Sequence, residues 1–118
     1  MEERRKYIRF SVPLKAEVIV KATLDTIQPG TTKDFSREGL RLILHKFDLG
    51  EGSVVDLRIY LPSEKTPIPM KAKIIWAKPN ETNWEVGLKI KEVDKEAKSK
   101  ILDYAYNFWR KNLKNGKI

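Results

Sequence analysis

Pro69-Met70-Lys71-Ala72-Lys73-Ile74-Ile75-Trp76-Ala77, then Pro79-Asn80-Glu81-Thr82-Asn83, then Trp84-Glu85-Val86-Gly87-Leu88-Lys89-Ile90 read together as a β-hairpin. In the first run Met70, Ala72, Ile74 and Trp76 share one face, and Lys71, Lys73 and Ile75 the other. In the second, Trp84, Val86, Leu88 and Ile90 oppose Glu85, Gly87 and Lys89. A period of two puts alternate side chains on opposite faces of a strand, so each run has one side for a core and one for water. The stretch between them is rich in Pro and Asn, which favour turns and interrupt ladders. Trp76 and Trp84 fall near the hairpin's mouth, where large aromatics are expected to staple the barrel end rather than contact a ligand.

The same grammar extends upstream. Leu14 to Leu24 alternates in part, with Ala16, Val18, Val20 and Ala22 opposite Lys15, Glu17, Ile19 and Lys21, and Gln28-Pro29-Gly30 reads as a break. Leu40 to Leu44 is a compact apolar run after Gly39, and Asp48-Leu49-Gly50-Glu51-Gly52 turns the chain. Val54 to Leu61 alternates again and stops at Pro62-Ser63. Short β-prone runs between turn signals over residues 14–90 predict a small antiparallel barrel or sandwich, and argue against a parallel sheet. Downstream the period changes to that of a helix. Asp94 is suited to an N-cap, and Ala97, Ile101, Leu102, Ala105, Phe108, Trp109 and Leu113 recur at helical spacing over 95–113, with Gly116 as a stop. The aromatic stripe Tyr106, Phe108 and Trp109 is expected to face the core, with any exposed remainder available to a partner.

A chain of 118 residues has length for one modest core, so residues 1–118 are expected to form a single domain: an N-terminal lead over 1–12, a barrel over 14–90 and the helix. No apolar run is long enough to cross a bilayer, and Met1-Glu2-Glu3-Arg4-Arg5 lacks the apolar stretch of a secretory signal, so the expected compartment is the cytoplasm. With no cysteine and a lone His45, disulfides, thiolate metal sites and a histidine-based hydrolytic centre have nothing to be built from. An enzyme is the least expected class, and no metal or cofactor is implied.

The net charge of +8 raises the question of a nucleic-acid partner. Residues 1–10 carry +2, residues 95–118 carry +5, and the long middle carries +1. The barrel body is therefore nearly neutral, which weighs against a groove for DNA. Arg110, Lys111, Lys114 and Lys117 sit where cations interact favourably with a helix C-terminus. The N-terminal excess is of another kind, made mostly of arginine in a chain whose basic residues are mostly lysine.

Two clusters then stand out: Arg4-Arg5-Lys6-Tyr7-Ile8-Arg9 and Asp34-Phe35-Ser36-Arg37-Glu38-Gly39. Taken alone, the second is an ordinary turn with acceptors and a glycine at fixed offsets. Together they resemble the PilZ domain family, whose members carry RxxxR and D/NxSxxG stretches as two halves of a cyclic di-GMP site. Arg5 and Arg9 match the first, and Asp34, Ser36 and Gly39 the second. Trp84-Glu85-Val86-Gly87-Leu88-Lys89-Ile90 also looks like that family's last barrel strand, with Ile90 where phenylalanine is usual. The resemblance covers nearly the whole chain and implies a PilZ-like split barrel, mainly β, with six antiparallel strands and a C-terminal α-helix.

It implies a ligand, cyclic di-GMP, and a role in bacterial second-messenger signalling of the kind that governs motility and biofilm formation. Arginine suits such a ligand: its planar fork donates to guanine O6 and N7 or to phosphate, and its face stacks on a purine. Asp34 would accept from the guanine edge, Ser36 would add a hydroxyl, and Gly39 would permit either close backbone approach or positive φ. Arg4, the residue before RxxxR, resembles those members that hold an intercalated pair of ligands. The first ten residues are expected to fray without ligand and to order when it binds. The signal would pass to an unidentified protein, the receptor being a monomer or homodimer. Two alternatives stand beside this reading: a small basic barrel that binds RNA or DNA, and a PilZ-like adaptor that binds no ligand.

Overall fold

The computed structural model describes residues 8–20 and 26–114. Its elements run β1 (Phe10–Ser11), β2 (Lys15–Val20), β3 (Thr26–Phe35), β4 (Gly39–Leu44), β5 (Val54–Tyr60), β6 (Ile68–Pro79), β7 (Trp84–Val93) and α1 (Lys95–Lys114). The strands follow the order β1-β3-β2-β5-β6-β7-β4, and a further pairing of β3 with β4 closes β2 to β7 into a ring. Every pairing is antiparallel. The expected six-stranded barrel with a C-terminal helix is the fold found, with β1 added outside the ring on β3. Closure leaves the ring no unpaired edge.

Alternation explains the core. Leu40, Leu42 and Leu44 of β4, Leu57 and Ile59 of β5, and Val86 and Leu88 of β7 are at most 5% exposed and point inward. Full burial of each such side chain contributes about 1.5–3 kcal/mol. The residues between them, Arg41, Arg58 and Lys89 among others, face out. At one end of the barrel Trp84 packs on Phe47, with ring centroids 5.6 Å apart.

Gln28-Pro29-Gly30 is not a break. It lies within β3, where Pro29 pairs with Glu17 and Gly30 with both Ala16 and Leu44. The β4 ladder ends at that Gly30↔Leu44 pair, so Pro29 has a neighbour on one side only, which is where a strand tolerates a residue without an N–H. A Cβ on Gly30 would lie 2.5 Å from Leu44 Cδ2 and 2.9 Å from Ile43 O, so glycine here admits the close passage of β4. Asp34 accordingly sits near the end of a long strand and Ser36 in the turn after it, rather than at the start of a strand that follows a Pro-Gly turn. The partial alternation read through Lys21 and Ala22 extends outside the described residues.

On β6 the inward phase runs through Met70, Ala72 and Ile74 and then changes. The β6–β7 register shifts between Ile74 and Trp76, leaving Ile75 46% exposed. This bulge turns Trp76 out of the inward set that strict alternation assigns it to, and sets it against Gly87 on the outer face.

Helix α1 begins as its sequence specifies. Asp94 Oδ2 accepts a hydrogen bond from Ala97 N at 3.0 Å, an N-cap contact, and Ile101 and Ala105 are completely buried against the barrel. Gly116, read as the stop, lies outside the described residues.

The end of the lead pairs with the barrel. Phe10 pairs with Phe35 and Ser11 with Asp34. Thr32, 2% exposed, then binds the chain behind them: its N–H donates to Leu14 O at 2.8 Å, its Oγ1 accepts from Leu14 N at 2.8 Å, and its hydroxyl donates to Val12 O. Thr32→Val keeps the shape and strands both buried backbone groups. It should lower unfolding free energy in urea by about 2 kcal/mol or more, with the m-value unchanged.

Candidate functional site

The β3–β4 register places Asp34 directly opposite Arg41, and the β4–β7 register places Arg41 opposite Gly87, two residues from Glu85. All of these lie on the barrel's outer face, because Phe35, Leu40, Leu42, Val86 and Leu88 occupy the inner one. Arg41 Nε donates to Asp34 Oδ2 at 2.7 Å and Nη2 closes on the same oxygen, while Nη1 donates to Glu85 Oε2 at 3.1 Å. Lys33 Nζ completes the set at 3.0 Å from Glu85 Oε1. The hydrogen bond to Asp34 holds the Arg41 guanidinium above its ordinary pKa, against the opposing effect of partial burial. The hydrogen bond from Lys33, with the nearby Arg41 charge, holds Glu85 below the usual carboxylate range although its burial pushes the other way.

The Asp34 side chain is 3% exposed, yet among the described residues only one of its oxygens is engaged. Oδ1 is buried and has no hydrogen-bond partner among the described residues. Leaving such an acceptor unmade costs about 1–3 kcal/mol, more for a charged group, and this is the feature of the wall that invites a donor from outside.

Ser36 is committed locally. Its hydroxyl donates to Gly39 O at 3.1 Å and accepts from Gly39 N at 3.2 Å, and its own N–H donates to Gly39 O at 2.8 Å. The motif's serine thus forms the turn that carries its glycine into β4. Of the two roles open to Gly39, close approach is the one observed: a Cβ there would lie 2.5 Å from Leu88 O, and among the described residues Gly52 is the one with positive φ.

Arg9 and Gly39, drawn from the two sequence clusters, line one cleft of about 250 Å³ together with Arg41, Trp76 and Gly87. Trp76 lies so close over Gly87 that any β-carbon there would collide with the indole, so that glycine is what lets the ring lie flat on β7. Arg4 and Arg5 lie outside the described residues. Arg41, Glu85 and Trp76 are members of the wall that motif reading passed over. Arg41 had a signal, being the one charge within Leu40-Arg41-Leu42-Ile43-Leu44, whereas the exit of Trp76 depends on a bulge that no local pattern marks. A larger cleft, about 570 Å³, runs along β5 and β6, but its cations are already paired: Lys71 with Asp56 at 2.8 Å, and Arg58 with Glu17 at 3.5 Å. Among the described residues no group of three or more His, Cys, Asp or Glu could hold a metal, and no helix is long and apolar enough to cross a membrane.

The model of the PilZ domain matches residues 3–107 of this sequence, a span that holds the barrel, both clusters and most of α1. The chain belongs to the PilZ domain family. No curated protein sequence matches it. Among solved structures, this PilZ domain is similar to the PilZ domain of YcgR from Escherichia coli, solved with c-di-GMP: TM-score 0.77, 16% identity, covering 98% of this chain and 100% of that one. It is also similar to MotI/DgrA, the Bacillus subtilis inhibitor of motility, with TM-score 0.72, 19% identity and coverage of 96% of this chain but 53% of that one. MrkH of K. pneumonia, solved as a c-di-GMP complex, gives TM-score 0.75 at 14% identity, covering 99% of this chain and 56% of that one. The chain thus spans about half the length of MotI/DgrA and MrkH.

Arg41→Gln should cost about 2 kcal/mol in chemical denaturation. That is less than the roughly 3–5 kcal/mol for breaking a fully buried pair, because Arg41 reaches solvent, and Asp34→Asn in the same chain should recover most of it. Glu85 gives a separate expectation in pH. Its folded pKa is depressed, so its contribution is complete above the unfolded value of about 4.3 and is lost as pH falls through the lower folded value. Denaturant titrations below about pH 5 should therefore show a shallower loss of stability with acid for Glu85→Gln than for the wild type.

Proposed function

We propose that this PilZ domain is a cyclic di-GMP receptor whose site is the outer wall of β3, β4 and β7, closed over by the N-terminal lead. The observation that carries the reading is the buried Asp34 carboxylate, whose Oδ1 has no partner among the described residues, beside a cleft that Arg9, Gly39 and Trp76 line together. Guanine offers N1–H and N2–H on its Watson–Crick edge. Arg41 holds Oδ2, so Oδ1 is the acceptor left for that edge, and the contact narrows to a single oxygen. Ser36 contributes by holding the turn that brings Gly39 against β7. Trp76 supplies a flat apolar plane on which a base can stack, and Arg9 a guanidinium for phosphate or for guanine O6 and N7.

A cleft of about 250 Å³ falls short of the roughly 300 Å³ at which ligand pockets begin. On this reading Arg4 and Arg5, which lie outside the described residues, would supply the remaining cations for the phosphates, and Arg4 would meet a second, intercalated ligand. Binding would draw the lead onto the barrel, and the changed surface would be read by another protein. The nearly neutral charge of the barrel body supports a small anionic ligand over a long nucleic acid.

Calorimetric titration of cyclic di-GMP tests this. The wild type should bind saturably, and Arg5→Ala, Arg9→Ala and Asp34→Ala should each weaken binding by about tenfold or more, with circular dichroism confirming that each variant is folded. A stoichiometry near two that drops to one in Arg4→Ala supports the paired ligand. A wild type that does not bind overturns the receptor reading, and steeply salt-dependent binding of unrelated oligonucleotides in its place would assign the barrel to nucleic acid.

A further inference from the structure

The C-terminal half of α1 is not used by the nucleotide site. After Asp103 the sequence contains no acidic residue, while Arg110, Lys111, Lys114 and Lys117 are all cations. Among them Tyr106, Trp109 and Leu113 are respectively 42%, 36% and 42% exposed. Their spacing of three and four residues makes them one stripe along the helix, distinct from the side on which Ile101 and Ala105 are fully buried. The Arg110 guanidinium stands 5.9 Å from the centroid of the Tyr106 ring. Phe10 extends the patch onto the lead, its ring 5.8 Å from Tyr106 and 5.9 Å from Trp109, and nearby in sequence Ile8 is 73% exposed.

A helix dipole accounts for cations in the final turn. It does not account for exposed aromatics interleaved with them. Rings that carry an apolar body and a polar N–H or O–H favour a boundary between oil and water, and a basic amphipathic helix gains further from a negative surface. A second copy of the chain would bring like charges together, so the sign of the patch selects an anionic occupant.

We propose that the Tyr106, Trp109 and Leu113 stripe, with Phe10 beside it and Arg110 at its flank, docks this domain on an anionic phospholipid surface. Trp109, Tyr106 and Leu113 enter the headgroup region, and the basic side chains remain at the level of the phosphates. The inference does not depend on nucleotide binding, so it can fail while the receptor reading stands.

The experiment is co-sedimentation of the full chain with vesicles of phosphatidylglycerol and, separately, of phosphatidylcholine. The wild type is expected to pellet with the former and to stay in the supernatant with the latter. Trp109→Ser should lower partitioning by about tenfold or more, and Arg110→Gln, which removes the cation beside the stripe, by about fivefold. The double change Lys65→Gln/Lys73→Gln, which removes two cations off the helix, should lower it far less. Trp109 is partly exposed, and helical circular dichroism establishes that its variant is folded. Three outcomes overturn the proposal: no pelleting with phosphatidylglycerol; equal losses from both charge variants with none from Trp109→Ser, which marks indiscriminate adsorption of a basic protein; or saturable binding of poly-glutamate in place of the vesicles, which assigns the patch to an acidic protein.

Discussion

Asp34 and Arg41 meet across the seam where β3 joins β4, the pairing that turns an open sheet into a closed ring. Much of the site depends on that register. A slip of one residue would carry Arg41 into the core and Leu40 and Leu42 out of it, so the burial of β4 and the placement of the carboxylate are fixed by the same constraint. Glycines stand at both ends of the seam for a steric reason. Gly30 admits Leu44 and Ile43 at one end, and Gly39 admits the Leu88 carbonyl at the other.

The seam also sets the electrostatics. Lys33, Asp34, Arg41 and Glu85 form a chain of two cations and two anions, so the wall balances its own charge. Burial of Asp34 is tolerable because Arg41 is fixed on it, and Arg41 is steadied in turn by Glu85. The excess positive charge of the sequence therefore lies elsewhere, in residues 1–10 and 95–118.

The architecture was largely legible in the sequence because alternation and turn chemistry are local. The β5, β6 and β7 runs, the Asp94 cap and the buried positions Ile101 and Ala105 follow from periodicity and from one hydrogen bond. What escaped was set by partners distant along the chain. Pro29 and Gly30 have turn composition but stand in a strand, because β4 stops at Leu44 and gives them an edge and a close crossing. Trp76 keeps perfect alternation with Ile74 on paper, and the bulge that expels it answers to pairing with β7. The site was legible as two clusters of residue types. That one Asp34 oxygen is already held, and that the Ser36 hydroxyl is spent on its own turn, depends on Arg41 and Gly39 being where the fold puts them.

The two-residue strand β1 has a consequence out of proportion to its length. By pairing Ser11 with Asp34 it anchors the lead to the β3 backbone at the position that carries the carboxylate. Arg5 is six residues upstream of that anchor, so covalent geometry alone keeps it within about 20 Å of Asp34's partner. In the proposed receptor the arginine cluster and the wall would be two modules on a short tether, and engagement of one would raise the effective concentration of the other. Affinity for a ligand that touches both becomes a property of tether length as much as of any contact. Inserting a few flexible residues between Arg9 and Phe10 would weaken it without altering a single side chain of the site.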